Sequence, residues 1–254
     1  MILVIDIGNT NIKLALFSGR RILKHFRLAT DKKASAKKYK RRLSSLFARK
    51  KIKRSQIKGA IACSVVPRIN NVFSNAVFSL CREKPLFLGK DIIAPIKNLY
   101  KRPSQVGQDR LANAFGAYNL YGGPVVIVDF GTALTFDLVS EKGEYLGGII
   151  VPGPEIALKA LIKNADLLPY LTLTKPVAFL GRETKESIRS GLVYGYSFLV
   201  EGILSRLKAQ LKRRPKIVAT GGAASLMSIY CPSIKDIAPH LTLQGLNEIY
   251  IGHK

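Results

Sequence analysis

Acidic residues are the scarce class in this 254-residue chain. Its 16 Asp and Glu stand against 41 Lys and Arg, a net charge of +25. Such an excess attracts polyanions, so nucleic acid has to be weighed as a partner. Much of it is local: from Arg20 to Lys58 there are many Lys and Arg and a single acid, Asp31. No zinc finger and no RNP-like aromatic set accompanies that segment. Cysteine is also scarce. Cys63, Cys81 and Cys231 are scattered, odd in number and without a CxxC. That excludes a disulfide framework and a zinc site, and it points to a reducing compartment. Long apolar runs are missing too. None approaches the roughly 20 residues of a membrane span. The first run is broken by Asp6, so a signal peptide is not expected. The expectation is a soluble cytoplasmic protein without a membrane partner.

What the chain does hold is one pattern written twice. Leu3-Val4-Ile5-Asp6-Ile7-Gly8-Asn9-Thr10-Asn11 opens it, and Val126-Ile127-Val128-Asp129-Phe130-Gly131-Thr132-Ala133 stands at its midpoint. Each is an apolar run ending in Asp-x-Gly, followed by small polar residues and a second apolar stretch. The pattern reads as a buried strand, a tight turn and a return strand. A Gly two residues after the Asp lets the backbone turn sharply and approach a ligand. The hydroxyl and amide residues beyond it offer donors to phosphate oxygens. A carboxylate at the strand end binds a cation directly or through water. The repeat predicts two similar halves, 1–120 and 121–254.

The first half reads βββαβαβ: strands at 2–7, 12–17 and 22–28, a helix over 34–50, a strand over 57–66, a helix over 71–81 and a short strand at 85–88. A three-stranded meander leading into αβ units, then repeated, is the pattern of ribonuclease-H-like domains with mixed five-stranded sheets, an α/β class. Lys13, just beyond the first turn, reads either as a phosphate ligand or as a solvent-facing hairpin residue. The 34–50 helix has an apolar stripe of Tyr39, Leu43, Leu46 and Phe47, with Lys37, Lys38, Arg41 and Arg42 mostly off it. It is the best local candidate for a nucleic-acid face, and a solvated helix in a basic protein is the plainer reading.

After a loop ending at Gly107, Leu111, Ala114, Phe115 and Tyr118 fall at helical spacing. Asp109 then stands at or near a helix N-terminus. It reads locally as a cap, or as a general base kept ionised by the helix dipole for phosphoryl transfer. The second half predicts a hairpin at 125–130 and 134–139, a third strand near 144–150, and an irregular loop over Gly147–Pro154 set by its Gly and Pro density. Thr184 is placed like an N-terminal cap of the long helix that follows, or else points its hydroxyl into a pocket. Thr220-Gly221-Gly222 follows a strand directly, where adjacent glycines let the backbone lie flat against a nucleoside.

Taken together, these motifs resemble type III pantothenate kinases, of the actin-like ATPase and sugar kinase superfamily, over nearly the whole chain. They are Asp6-Ile-Gly-Asn-Thr-Asn-Ile-Lys13, Ser64-Val-Val-Pro67, Gly107-Gln-Asp-Arg110, Asp129-Phe-Gly-Thr-Ala133, Gly147-Gly-Ile-Ile-Val-Pro-Gly153 and Thr220-Gly-Gly222. The resemblance implies a nucleotide cleft between two such domains. It implies transfer of the ATP γ-phosphoryl group to the 4′-hydroxyl of pantothenate, the first step of coenzyme A biosynthesis. The implied ATP ligands are Asp6, Ile7, Gly8, Asn9, Thr10, Asn11, Ile12 and Lys13, with Thr132, Gly221 and Gly222. Tyr100, Gly107, Gln108, Arg110 and Thr184 are implied to contact pantothenate, and Asp109 to accept its proton. Mg-ATP and a monovalent cation, K⁺ or NH₄⁺, are implied as cofactors, with Asp129 at the monovalent-cation site and Asp6 the other candidate metal-site carboxylate. A homodimer whose pantothenate pocket is completed across the interface is also implied. Glu183 and Pro154 depart from the usual residues, a smaller Asn or Asp and an aliphatic one. Two rival readings stay open: a nucleic-acid-binding or transcription accessory protein on this scaffold, and a kinase of another small alcohol.

Overall fold

The computed structural model describes residues 1–253. The chain folds as two compact units. The first comprises residues 1–96, 102–116 and the C-terminal helix, and the second comprises 97–101 and 117–240.

In the first unit, β1 (Ile2–Ile7), β2 (Asn11–Ser18), β3 (Arg21–Ala29), β4 (Ala60–Ser64) and β5 (Leu86–Phe87) form a sheet in the order β3-β2-β1-β4-β5. β1 runs antiparallel to β2 and parallel to β4. Its residues 3–7 are all buried, as a near-continuous apolar run at a sheet centre requires. α1 (Ala36–Arg49) begins at Ser35, whose Oγ accepts from Lys38 N at 3.3 Å. The predicted stripe of Tyr39, Leu43, Leu46 and Phe47 is buried, and each such side chain contributes about 2 kcal/mol. α2 (Asn70–Cys81) packs beside α1, with Phe73 edge-on to Tyr39 at 5.1 Å.

α3 (Gln108–Tyr121) starts in this unit, and α7 (Leu241–His253) ends it. α7 packs on β1, β2 and β4. It also meets α3 backbone to backbone: a Cβ on Gly245 would lie 2.0 Å from Ala112 O. Beside that crossing Thr242 Oγ1 donates to Asn113 Oδ1 at 2.8 Å. The sequence division at residue 120 put this last helix in the other half. Leu241, Leu243, Leu246, Ile249 and Tyr250 are buried, but an apolar helix carries no label for the sheet it will cover.

The second unit repeats the plan. β6 (Lys97–Asn98), β7 (Val125–Phe130), β8 (Ala133–Val139), β9 (Glu144–Pro152), β10 (Lys216–Gly221) and β11 (Asp236–Ile237) make a sheet in the order β11-β10-β7-β8-β9-β6. Read backwards from β9, this is the order of the first sheet. β6 is a sixth strand where five were expected. Its two residues have no periodicity to read, and it is held parallel to β9 with Lys97 Nζ 2.8 Å from Glu144 Oε1. The elements α4 (Pro154–Lys163), α5 (Thr184–Ala209) and α6 (Ala224–Met227) complete the unit. Val200, Leu204 and Leu207 of α5 close the core over Val126, Val128, Phe130 and Phe136.

One predicted loop is a strand. β9 runs unbroken to Pro152 and pairs with β8 from Tyr145 to Pro152, skipping Leu146 at one register shift. The β-branched run Ile149-Ile150-Val151 outweighs the flanking glycines, and Gly147, at φ +128°, stands where the register shifts.

Candidate active site

The two Asp-x-Gly turns are built alike. Asp6 ends β1, opposite Lys13 of β2 on one side and Cys63 of β4 on the other. Gly8 N donates to Asn11 O at 3.0 Å, closing the hairpin, and Thr30 Oγ1 donates to Gly8 O at 2.7 Å. Asp129 stands in β7 opposite Thr135 of β8 and Thr220 of β10. Gly131 N donates to Ala133 O at 3.1 Å. The second turn is one residue shorter, so Thr135 occupies the position that Lys13 holds in the first.

Around Asp6 the unit gathers charge of both signs. Lys13 Nζ lies 3.5 Å from Asp6 Oδ2, and Cys63 Sγ donates to Oδ1 at 3.5 Å. Burial, then the charges of Asp6 and Asp109, push the Cys63 thiol well above its ordinary range. It therefore stays protonated and serves as a donor. The same effect puts Asp109 within electrostatic reach of Cys63. Sequence reasoning missed Cys63, because only the β1–β4 register brings it beside Asp6. Asn9 and Thr10 at the turn are exposed, and Lys32 Nζ donates to Asn9 Oδ1 at 3.1 Å.

Asp109 lies in the first turn of α3, one residue inside the helix, so it is not the cap. Gly107 O accepts from Arg110 N at 3.0 Å and from Leu111 N at 3.2 Å, while Asp109 Oδ1 accepts from Arg110 N at 2.9 Å. Gly107 has no room for a side chain, since a Cβ would lie 2.5 Å from Asp109 Oδ1. Gln108 lies against Gly89, and Arg110 is buried.

In the second unit the Asp129 carboxylate sits in a cradle of glycines. A Cβ on Gly221, at φ +94°, would lie 2.5 Å from Asp129 Oδ1, and one on Gly131 would lie 3.4 Å from it. Gly153 is pinned to the same turn, with its N donating to Thr132 O at 3.0 Å. Thr132 and Gly222 are exposed. Pro154 is the first residue of α4, where a missing N–H costs nothing. Tyr100 lies over Gly147, its ring carbons 3.6 Å and 3.7 Å from the Cβ position.

Thr184 is the first residue of α5 and not its cap. Glu183 is the cap, its carbonyl accepting from Ser187 N at 2.9 Å. The Thr184 hydroxyl is left beside an open hollow of about 610 Å³ lined by Gly181, Arg182, Glu183, Ser187 and Ile188.

All three cysteines are buried and free. Among the described residues no three His, Cys, Asp or Glu cluster as a metal site. Among the same residues no helix is long and apolar enough to cross a membrane.

Residues 2–206 match the family model described as type III pantothenate kinase. A type III pantothenate kinase of Myxococcus xanthus is 41% identical over 98% of both chains. One of Moorella thermoacetica is 39% identical over the same shares. Among solved structures, the activator of the 2-hydroxyisocaproyl-CoA dehydratase from Clostridium difficile with bound ADPNP aligns at TM-score 0.60 and 13% identity, over 99% of this chain and 96% of that one. That likeness carries the fold alone, the actin-like ATPase and sugar kinase fold with mixed sheets of five and six strands. With this match and these relatives, the chain belongs to the type III pantothenate kinase family.

Proposed function

We propose that this protein transfers the γ-phosphoryl group of ATP to the 4′-hydroxyl of pantothenate, with Asp109 as the base. The observation that carries the reading is the cluster in the first unit. Asp6 and Lys13 form an ion pair at a phosphate-type turn, and Asp109 lies within electrostatic reach through Cys63.

The Asp109 carboxylate accepts the proton of the 4′-hydroxyl as its oxygen bonds to the γ-phosphorus. The bond from that phosphorus to the β–γ bridging oxygen breaks, and ADP leaves. The helix dipole at the start of α3 favours the anionic form of Asp109 before transfer. Gly107 leaves space for the carboxylate, and the Arg110 N–H bond orients it. Gln108, Arg110, Tyr100 and Thr184 bind pantothenate in this reading. Residues 6–13, Thr132, Gly221 and Gly222 bind ATP, with Lys13 supplying positive charge where negative charge builds. The Gly8 and Gly131 turns fit phosphate because they close tightly and present exposed small polar residues, Asn9 and Thr10 in the first and Thr132 in the second. When bound, Mg²⁺ neutralises phosphate charge, and Asp6 is the carboxylate suited to hold it. The Asp129 carboxylate, cradled by Gly131 and Gly221, suits a monovalent cation, K⁺ or NH₄⁺.

A homodimer belongs to the same proposal. β9, α4 and α5 leave Ile149, Ile150, Ile156, Leu161 and Phe198 exposed, and exposed large apolar side chains of this kind mark interfaces when they adjoin. A second copy is the occupant that the family reading supplies.

The test is ADP release by the purified protein with Mg-ATP and pantothenate, in K⁺ and in Na⁺. Turnover that needs pantothenate and is faster in K⁺ supports the proposal. Turnover with other small alcohols but not with pantothenate contradicts it.

A further inference from the structure

We propose that the outer surface made by β3, α1 and the segment after α1 binds the phosphate backbone of duplex nucleic acid, without reading sequence. Residues 20–58 carry 17 Lys and Arg and one acid, a net +16 of the chain's +25. The phosphate turns and the base account for none of this charge except Lys32, which faces Asn9. The one acid is already committed. Asp31 pairs with Lys38 at 2.8 Å, and hydrogen bonds from Lys38 and Lys33 hold its carboxyl below the usual range. Arg20 is likewise paired, with Glu248 at 2.9 Å. The rest of the cluster is exposed, except Arg42, which is half-buried over the Tyr39 ring.

The charges share one surface. Lys24 is exposed on β3, on the face that carries Phe26 against α1, and Lys37, Lys40 and Arg41 are exposed on α1. Arg49, Lys50, Lys51, Lys53 and Arg54 continue the exposed charge past the end of α1. Lys24 Nζ donates to Lys50 O, joining β3 to the C-terminal end of α1. Ser44, Ser45 and Ala48 separate the two basic groups on α1. They are short, so a polymer backbone can approach between the groups. At 1.5 Å per residue, Arg41 and Arg49 are about 12 Å apart along the axis, the scale of a duplex groove.

The occupant follows from what the surface lacks. The large apolar residues of α1 and Phe26 of β3 are buried, namely Tyr39, Leu43, Leu46, Phe47 and Phe26, and Ile22, Leu23 and Leu28 of β3 are half-buried. No apolar face is left to enter a lipid boundary, as an interfacial helix requires. Within residues 20–58 no Phe or Tyr ring is exposed to stack on unpaired bases, as single-strand binding requires, and His25 is the one exposed ring. Charge, backbone access and the lack of an exposed Phe or Tyr platform favour the duplex phosphate backbone.

The experiment is fluorescence anisotropy of a labelled duplex of about 20 base pairs, titrated with full-length protein across a salt series around 0.15 M. Two variants are compared with wild type: K37E/K40E/R41E in the patch, and K212E/R213E/R214E, exposed in the other unit and equal in charge change. The expected result is loss of about tenfold or more in affinity for the patch variant, with a salt slope shallower by about 3. The control variant should keep near wild-type binding. ADP release by both variants should match wild type, which also shows that they fold. Equal losses in the two variants would overturn the proposal, leaving net charge alone. So would a salt slope unchanged in the patch variant, preference for the single strand, or release of the duplex by phosphatidylserine vesicles at equal charge.

Discussion

Lys13 and Asp6 face each other across the first hairpin, with Nζ 3.5 Å from Oδ2. The lysine is partly exposed and the carboxylate almost buried. The pair therefore holds the ammonium beside the turn, at its partly exposed side. Lys13→Met is expected to fold normally and to lose about a hundredfold in kcat, the scale for removing one group that stabilises transition-state charge. Steady-state ADP release beside circular dichroism checks this, and near wild-type kcat in Lys13→Met would remove Lys13 from the phosphate site.

Adjacent glycines should behave differently. Gly221→Ala puts a methyl 2.5 Å from Asp129 Oδ1 and 2.6 Å from the Phe130 backbone, at positive φ. It is expected to lower stability by about 2 kcal/mol or more and to displace Asp129. At Gly222 nothing lies within 4 Å, so Gly222→Ala should leave the melting temperature unchanged and raise KM for ATP. Thermal melts and ATP titrations separate the two. Equal behaviour in both assays would refute the adenosine-side assignment of Gly222.

The thiols report on packing. Burial raises Cys81 from 9.0 to about 11 and Cys231 to about 12, and raises Cys63 well above its usual range. A folded pKa above the unfolded one contributes stability that is complete below pH 9 and lost as pH rises toward the folded values. The melting temperature should fall between about pH 9 and 11. A thiol reagent at neutral pH should find no reactive cysteine in the native protein and all three in denaturant. A rapidly modified native thiol would contradict the burial.

The exposed face on α5 predicts an interface. Phe198 is 63% exposed near the middle of the helix, where glutamate costs little in a monomer and much at an apolar contact. Phe198→Glu is expected to turn a dimer into a folded monomer by light scattering. A wild-type monomer, or a variant that stays dimeric, would move the interface elsewhere.

How far the sequence reaches depends on how local each signal is. The two hairpins were legible because an apolar run, Asp-x-Gly and a return strand lie within about fifteen residues. So was α1, because its stripe keeps helical spacing. The Gly147–Gly153 segment was not, since glycine and proline frequency concealed a β-branched strand that its neighbour stabilises. Cys63 beside Asp6 and Gly221 against Asp129 depend on pairing register between strands far apart in sequence. No local pattern records that register. Asp109 shows the middle case. Its place at a helix start was legible, and its relation to Cys63 required the fold.

The assignment of Asp109 is most directly tested by mass detection of 4′-phosphopantothenate formed by wild type and Asp109→Asn, in Mg-ATP and K⁺, with ATP binding measured on the same samples. Asparagine keeps the size and removes the proton acceptor. The account predicts product from wild type and a loss of about a thousandfold in the variant, with ATP affinity retained. Undiminished product from Asp109→Asn would contradict it.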